Sequence, residues 1–154
     1  MGHVSSRLAE LGIILPPAPA PVASYIPAKR TGNLVFVSGQ LPMRDGKLMA
    51  TGTVPGAVDL ETAQRCARQC VLNGLAAAVG VVGDVDRIVS VVRVGGFVAA
   101  DPGFTDHPKV INGASEVLQE IFGEAGRHAR AAVGAVGLPL DACVEVELML
   151  EVAD

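Results

Sequence analysis

The sequence predicts a single α+β domain in which two helices pack on one face of a mixed β-sheet. Three observations indicate this class. Strand-like segments rich in β-branched residues lie near both ends of the chain, two internal segments carry the spacing of amphipathic helices, and the helices alternate with strands in the middle. The chain has 154 residues, which is enough for one domain with a real core.

The N-terminal region is predicted to differ in character from the rest. Residues 1–20 are expected to form a helix and a Pro-rich arm, and residues 21–154 a single domain. Ser5 or Ser6 is placed to cap a helix over residues 5–14. The prolines that follow exclude a helix and favour an extended arm.

A β-hairpin is predicted next, because β-branched segments flank a Gly-Asn turn. The predicted elements are a strand over 22–29, a turn over 31–33, a strand over 34–37 that ends at Ser38-Gly39-Gln40, a turn over 44–47 and a short strand over 48–51.

A long helix should begin after Asp59, which is a suitable cap, and end at Gly83. Small residues recur on one face at spacings of three and four, so this face should lie close against the sheet; they are Ala63, Ala67, Cys70, Gly74 and Ala78. A Val-rich strand follows over 87–99. Gly95-Gly96 within it indicates a bulge or a close backbone approach.

The C-terminal part should contain a helix over 109–124 and two strands, over 129–136 and 143–152, separated by a turn at 138–141. The helix has a predicted buried stripe of Ile111, Ala114, Leu118, Ile121 and Phe122. In the last strand, Val and Leu alternate with Glu145, Glu147 and Glu151, which predicts one buried face and one polar face.

Composition excludes several classes. The net charge is −4 and no Lys/Arg cluster exists, which argues against a nucleic-acid partner. No apolar run reaches the length of a membrane span, and no secretory signal is recognisable, so a reducing cytoplasm is expected. Cys66, Cys70 and Cys143 are predicted to be small buried side chains and not a disulfide framework or a metal site. Because half of the residues are hydrophobic, another subunit should cover part of the surface.

Two sequence blocks carry a resemblance to a known family. The first is Leu34–Pro42, in which a strand leads into Ser38-Gly39-Gln40 and Pro42. The second combines Ala129-Arg130-Ala131-Ala132-Val133, Leu138-Pro139 and Val144-Glu145-Val146-Glu147. Tyr25 and Asn112 also match polar positions of the same family. Over residues 20 to 152 the chain resembles the RidA family, also called the YjgF family.

The resemblance implies a chorismate-mutase-like fold and a homotrimer with ligand clefts between subunits. It also implies a cofactor-free activity, the hydrolysis of reactive enamines and imines such as 2-aminoacrylate to a 2-keto acid and ammonia. No cofactor and no metal are expected. The partners expected are a small carboxylate or imino-acid ligand and two further copies of the chain, without nucleic acid or membrane.

The resemblance also assigns roles to residues. Arg130 would grip the substrate carboxylate, because a guanidinium pairs both of its oxygens. Glu145 would hold the attacking water and move protons. The alternatives are an interface or surface ion pair for Arg130, with Arg127 and His128 close by, and an ordinary exposed glutamate for Glu145.

Four further residues would line the cleft: Tyr25, Asn112, Ser38 and Gly39. Tyr25 could instead be simply half-buried, and Asn112 could be only a helix cap or an early-helix residue. A nucleophilic role for Ser38 is not expected, since no base is fixed near it. His107, in a loop before a proline, is assigned no role.

Two departures from the family pattern fall around the cleft. Ala132 stands where active members usually have cysteine, and the loop over 99–108 is longer. Three functions therefore compete: an imine deaminase, a carboxylate-binding protein without turnover, and an endoribonuclease or translation inhibitor, against which the acidic charge argues. Chorismate mutase activity is suggested by fold alone, which does not fix function.

Overall fold

The chain forms a five-stranded mixed sheet covered by helices. The structure is a computed structural model, which describes residues 2–21 and 23–154. The strands are β1 (Ala28–Thr31), β2 (Leu34–Gln40), β3 (Met43–Arg44), β4 (Lys47–Leu48), β5 (Ile88–Ala99), β6 (Ala129–Ala135) and β7 (Val144–Val152). The helices are α1 (His3–Glu10), α2 (Leu60–Val82) and α3 (His107–Phe122).

The order in the main sheet is β1-β2-β7-β5-β6. β5 and β6 pair in parallel and the other neighbours are antiparallel, while β3 and β4 form a separate hairpin. Helices α2 and α3 pack on the same face, which confirms the predicted class. Within the described residues, no helix is both long enough and apolar enough to cross a membrane.

The core lies between one face of the main sheet and the two long helices, α2 and α3. Along β7 every second residue from Val144 to Val152 is buried, as the alternation predicted. The small-residue face of α2 is buried throughout. At Gly74 a Cβ atom would lie 2.9 Å from Leu148 Cδ1, so glycine lets the helix approach the sheet.

The Gly95-Gly96 pair reflects close approach and not a bulge. Pairing of β5 with both neighbours is continuous there, and its register shifts lie earlier, between Ile88 and Arg93. A Cβ atom on Gly96 would come within 2.5 Å of Ile111 on α3. The bulge alternative is therefore wrong, and the close-approach alternative is confirmed.

Helix α1 begins and ends earlier than the predicted range of 5–14. Its cap is neither Ser5 nor Ser6. The Asp86 carboxylate accepts from Gly2 N at 3.0 Å and from Ser5 N at 2.8 Å, so it satisfies the first turn from a distant part of the chain. Leu8 on this helix is buried in the common core.

The first strand is displaced from the predicted range of 22–29 to Ala28–Thr31, and Val22 lies outside the described residues. Pro27, just before β1, is also hydrogen-bonded to β2, because Ser38 N donates to Pro27 O at 2.8 Å. The α3 helix lies two residues earlier than predicted, because Gly123, with a φ of 61°, ends it.

The remaining boundaries differ by a few residues. Strand β4 covers Lys47–Leu48, and Thr51 forms an isolated bridge to Ala142. All three cysteines are buried and free, as predicted for core side chains. Burial raises the pKa of the Cys70 thiol. In the part of the chain that the structure describes, no three His, Cys, Asp or Glu residues form a group that could hold a metal ion.

Candidate functional site

Arg130 lies on β6, at the edge of the sheet, and its side chain points to the helical face. It is in register with Val94, which is fully buried against the helices. Its Nη1 donates to Asn112 Oδ1 at 2.8 Å and to Ser115 Oγ at 3.1 Å, and Nη2 donates to Pro108 O at 3.4 Å. Helix α3 therefore holds the guanidinium through neutral acceptors.

The charge of Arg130 is not neutralised by any residue that the structure describes. Among the described residues, no carboxylate forms an ion pair with it. Arg127, the other candidate, pairs with Glu124 at 3.7 Å on the surface. A guanidinium has five N–H groups, and the bonds above leave Nε–H and one N–H of Nη2 without a partner in the described chain. Two donors on neighbouring nitrogens match a carboxylate.

Asn112 contacts Arg130 from the second turn of α3. It is not a helix cap, since Asp106 precedes the helix and His107 begins it. Its amide oxygen accepts the shortest of the Arg130 bonds. The structure thus brings together two of the predicted site residues.

Glu145 projects from β7 on the opposite, open face of the sheet, in register with Phe97. The three glutamates of this strand differ in their partners. Glu147 pairs with Arg93 at 3.3 Å, and Glu151 accepts from Ser90 Oγ at 2.7 Å. In the described part of the chain the Glu145 carboxylate has neither a hydrogen bond nor an ion pair, which distinguishes it from the other two glutamates of the strand.

The carboxylate of Glu145 lies over the end of β2. Burial, and secondarily the negative charge of Glu147, raise the pKa of Glu145 above its ordinary value. A Cβ atom on Gly39 would lie 2.7 Å from Glu145 Oε1. The absence of a side chain at Gly39 therefore leaves room for the Glu145 carboxylate, and the structure brings these two predicted residues together.

Ser38 and Tyr25 lie on the same open face. Ser38 Oγ donates to Ile26 O at 2.7 Å, so its hydroxyl fixes the preceding segment. Tyr25 is 57% exposed and, with Ser38 and Glu147, lines an open cavity of about 860 Å³.

The predicted site residues, together with the side chains that hold them, therefore form two groups. We call Arg130 with Asn112, Ser115 and His128 the arginine side, and Glu145 with Gly39, Ser38 and Tyr25 the glutamate side. Val94 and Phe97, their register partners on β5, point to opposite faces of one strand. Within one chain, Arg130 and Glu145 do not meet.

Sequence reasoning missed Ser115 and the contacts of His128. His128 Nε2 lies 2.9 Å from Ser115 Oγ, and His128 Nδ1 lies 2.6 Å from Gly126 O. One signal was available: Ser115 interrupts the apolar stripe of α3 next to Ala114. Of the described residues, Ser115 is the one polar residue that is buried, with 6% of its surface exposed.

Ala132 and the 99–108 loop both border the arginine side. Ala132 is half-buried and faces the helices, two residues along β6 from Arg130. The loop is anchored by Asp101, which accepts from Thr53 Oγ1 and, at 2.7 Å, from Gly56 N. These bonds lower the pKa of Asp101, the bond from Thr53 most. His107, the first residue of α3, lies against Gly134 on β6.

Comparisons with known proteins place this arrangement in context. Protein TCP17 of Trypanosoma cruzi is 40% identical over 151 residues, which are 97% of this chain and 94% of that protein. A 2-iminobutanoate/2-iminopropanoate deaminase of Dermatophagoides farinae is 30% identical over 135 residues, covering 88% of this chain and 91% of that protein.

Among solved structures, the protein Atu1372 of Agrobacterium tumefaciens is 44% identical, with a TM-score of 0.89 over 99% of this chain and 94% of that one. Residues 5–152 match the family described as "YjgF/chorismate_mutase-like, putative endoribonuclease". The chain therefore belongs to the YjgF/RidA family and has its chorismate-mutase-like fold.

Proposed function

We propose that this protein is a cofactor-free hydrolytic deaminase, which converts 2-aminoacrylate-like enamines and 2-imino acids to 2-keto acids and ammonia. The observation that carries the proposal is the state of Arg130. Neutral acceptors orient its guanidinium, no carboxylate in the described chain neutralises it, and two N–H groups remain available. This arrangement suits the carboxylate that every such substrate carries.

Glu145 supplies the acid–base chemistry in this proposal. An enamine substrate first tautomerises to the imine. Water adds to the imine carbon while the carboxylate of Glu145 takes a proton from the water and passes it to the imine nitrogen, which gives a neutral carbinolamine. Glu145 then carries the hydroxyl proton to the amino group, the C–N bond breaks, ammonia leaves, and the hydroxyl oxygen becomes the keto oxygen. The raised pKa of Glu145 brings the group closer to neutral pH, where a proton shuttle is most effective.

The two sides of the site would come from neighbouring chains. Arg130 and Glu145 point away from each other across one sheet, so one cleft needs the arginine side of one chain and the glutamate side of another. Apolar side chains exposed on the open face, such as Phe36 and Val133, support an interface there. A homotrimer would give about three times 15.7 kDa in analytical ultracentrifugation. A monomer at micromolar concentration would contradict the composite cleft.

A coupled assay tests the activity. A pyridoxal-phosphate enzyme generates the 2-imino acid from serine or threonine, and keto-acid release is timed with and without this protein. Acceleration by the wild-type chain, lost in Glu145→Gln, supports the proposal. Release at the uncatalysed rate across several 2-imino acids would contradict it. The activity of the Dermatophagoides farinae relative supports the choice of substrate class.

A carboxylate-binding protein without turnover is the second candidate. The observation that favours it is Ala132, which puts a methyl group beside Arg130 where active members usually have a thiol. Binding of a keto acid through Arg130 without any acceleration would establish this alternative. An endoribonuclease is the least favoured function, because the net charge is −4 and no basic cluster marks an RNA path. We propose the cytoplasm as the compartment, in keeping with three free cysteines.

A further inference from the structure

We propose that His128 and Ser115 are positioning residues, which fix the guanidinium of Arg130 through a hydrogen-bond chain whose direction is set by the tautomer of neutral His128. The inference rests on the proposed function in so far as Arg130 is taken to bind the substrate carboxylate. It adds two residues to the site and specifies one tautomer of one histidine.

The direction of the chain is set at its first link. The Gly126 carbonyl oxygen can only accept, and it lies 2.6 Å from His128 Nδ1, so the proton is on Nδ1. In a neutral imidazole the other nitrogen, Nε2, is then an acceptor. Ser115 Oγ lies 2.9 Å from Nε2, and its hydroxyl hydrogen must point to that nitrogen.

The last link follows from the others. With its hydrogen directed at His128, Ser115 Oγ presents only lone pairs to Arg130, and Nη1 donates to it at 3.1 Å. Arginine has no acceptor, so this bond cannot run the other way. A doubly protonated His128 would donate to Ser115 instead, remove the acceptor of its hydroxyl, and place a second cation beside the guanidinium.

Burial makes the chain rigid. Ser115 is 6% exposed and lies on the face of α3 that also carries Ala114 and Leu118. A hydroxyl in this position must be hydrogen-bonded, because an unsatisfied buried polar group is unfavourable. Ser115 and Asn112 accept from Nη1 and Pro108 O accepts from Nη2, which leaves Nε–H and one N–H of Nη2 for a ligand.

Nuclear magnetic resonance of the imidazole nitrogens tests the tautomer without any ligand. The chain has three histidines, and loss of one signal set in His128→Gln assigns the resonances. At a pH where His128 is neutral, we expect its proton on Nδ1, and we expect slower rotation of the Arg130 guanidinium in the wild type than in Ser115→Ala. A proton on Nε2, or an unchanged rotation rate, would overturn the proposal.

Two matched substitutions of His128 separate positioning from general stability. A glutamine amide can reach the position of Nε2 and present an acceptor to Ser115, whereas the shorter asparagine amide reaches only the position of Nδ1. We expect Ser115→Ala and His128→Asn to weaken pyruvate binding about fivefold, the effect of one lost hydrogen bond, with His128→Gln close to wild type. Thermal unfolding identifies any variant that loses its fold.

The effect should appear in KM and not in kcat, because the carboxylate contact is the same in the ground state and the transition state. Equal affinity of His128→Asn and His128→Gln for pyruvate would overturn the positioning role. If the wild type binds no keto acid at all, the proposed function fails, while the tautomer and the guanidinium rotation still decide this inference.

Discussion

The arginine side and the glutamate side of the site are built in opposite ways. Arg130 is held by three neutral acceptors from one helix, and its orientation is complete within the chain. Glu145 lies on an open sheet face, and nothing in the described chain bonds to its carboxylate. The binding group is therefore preorganised by the fold of one chain. The reacting group lacks a partner until something else, in our account the substrate and a neighbouring subunit, covers it.

The largest expected effect concerns the glutamate side. Glu145→Gln preserves shape and removes the base, so kcat for imine hydrolysis should fall roughly a hundredfold, the usual size of a general acid–base contribution. Keto-acid affinity should change little. Glu151→Gln, on the same strand and hydrogen-bonded to Ser90, is the matched control and should keep full activity. Full activity in Glu145→Gln would mean that another group activates the water.

The next effect concerns the arginine side. Arg130→Ala should weaken binding of pyruvate at least about tenfold, because a bidentate charged pair is lost. Arg130→Lys should recover only part of the affinity, since an ammonium cannot reproduce the fork. Calorimetric titration measures both. Arg127→Ala removes an exposed, ion-paired arginine and serves as the control. Unchanged affinity in Arg130→Ala would end the assignment.

A smaller effect should follow from Gly39→Ala. The new methyl group would lie 2.7 Å from Glu145 Oε1, so the carboxylate must move. We expect kcat to fall severalfold, on the order of tenfold, with affinity preserved, because misplacement affects the reacting group only. Gly137→Ala is the control, because no heavy atom lies within 4 Å of a Cβ at that position. A loss of affinity without a loss of kcat would contradict this division of roles.

The smallest effect is one of stability. Burial raises the pKa of Glu145 above the ordinary 4.5, so its ionised form opposes folding. This destabilisation is absent below the pKa of Glu145 in the unfolded state. It grows as pH rises from there through the pKa in the folded state, and it is complete above that pKa. Glu145→Gln should therefore have a higher free energy of unfolding than wild type at neutral pH, and the advantage should vanish in acid.

The stability difference also sharpens the comparison of the two sides. If a neighbour's guanidinium faces Glu145 in the cleft, it favours the ionised carboxylate and reduces the advantage of Glu145→Gln. The advantage should then be larger in an Arg130→Ala background. Denaturant titrations of the four variants at neutral and acidic pH measure it. An equal advantage in both backgrounds would indicate that the two groups do not share a cleft.

The sequence predicted the sheet and its two main helices well because hydrophobic periodicity records which face is buried. The alternation along β7 and the small residues of α2 carry this information locally. Helix α1 was misplaced because its cap, Asp86, lies 84 residues from Gly2, and no local pattern reveals such a contact. The first strand was misplaced for a similar reason, since its bounds are set by where it pairs with β2.

The site was predicted in part. Arg130, Asn112, Glu145 and Gly39 were identified through a family resemblance, and the structure pairs the first two and the last two. The separation of these pairs onto opposite faces follows from the register of β5, which a sequence does not display. Ser115 was missed because a serine beside an apolar stripe is ordinary until its hydrogen-bond partners are known.

Mixing two impaired variants, assayed at a substrate concentration well below KM, tests the composite cleft most directly. Arg130→Ala and Glu145→Gln chains are each purified, denatured together in equal amounts and refolded. If each cleft takes the arginine side from one chain and the glutamate side from its neighbour, random trimers contain intact clefts, and about a quarter of wild-type activity should return. Either variant refolded alone is the control. Mixed trimers that are no more active than the average of the two variants refolded alone would contradict the account.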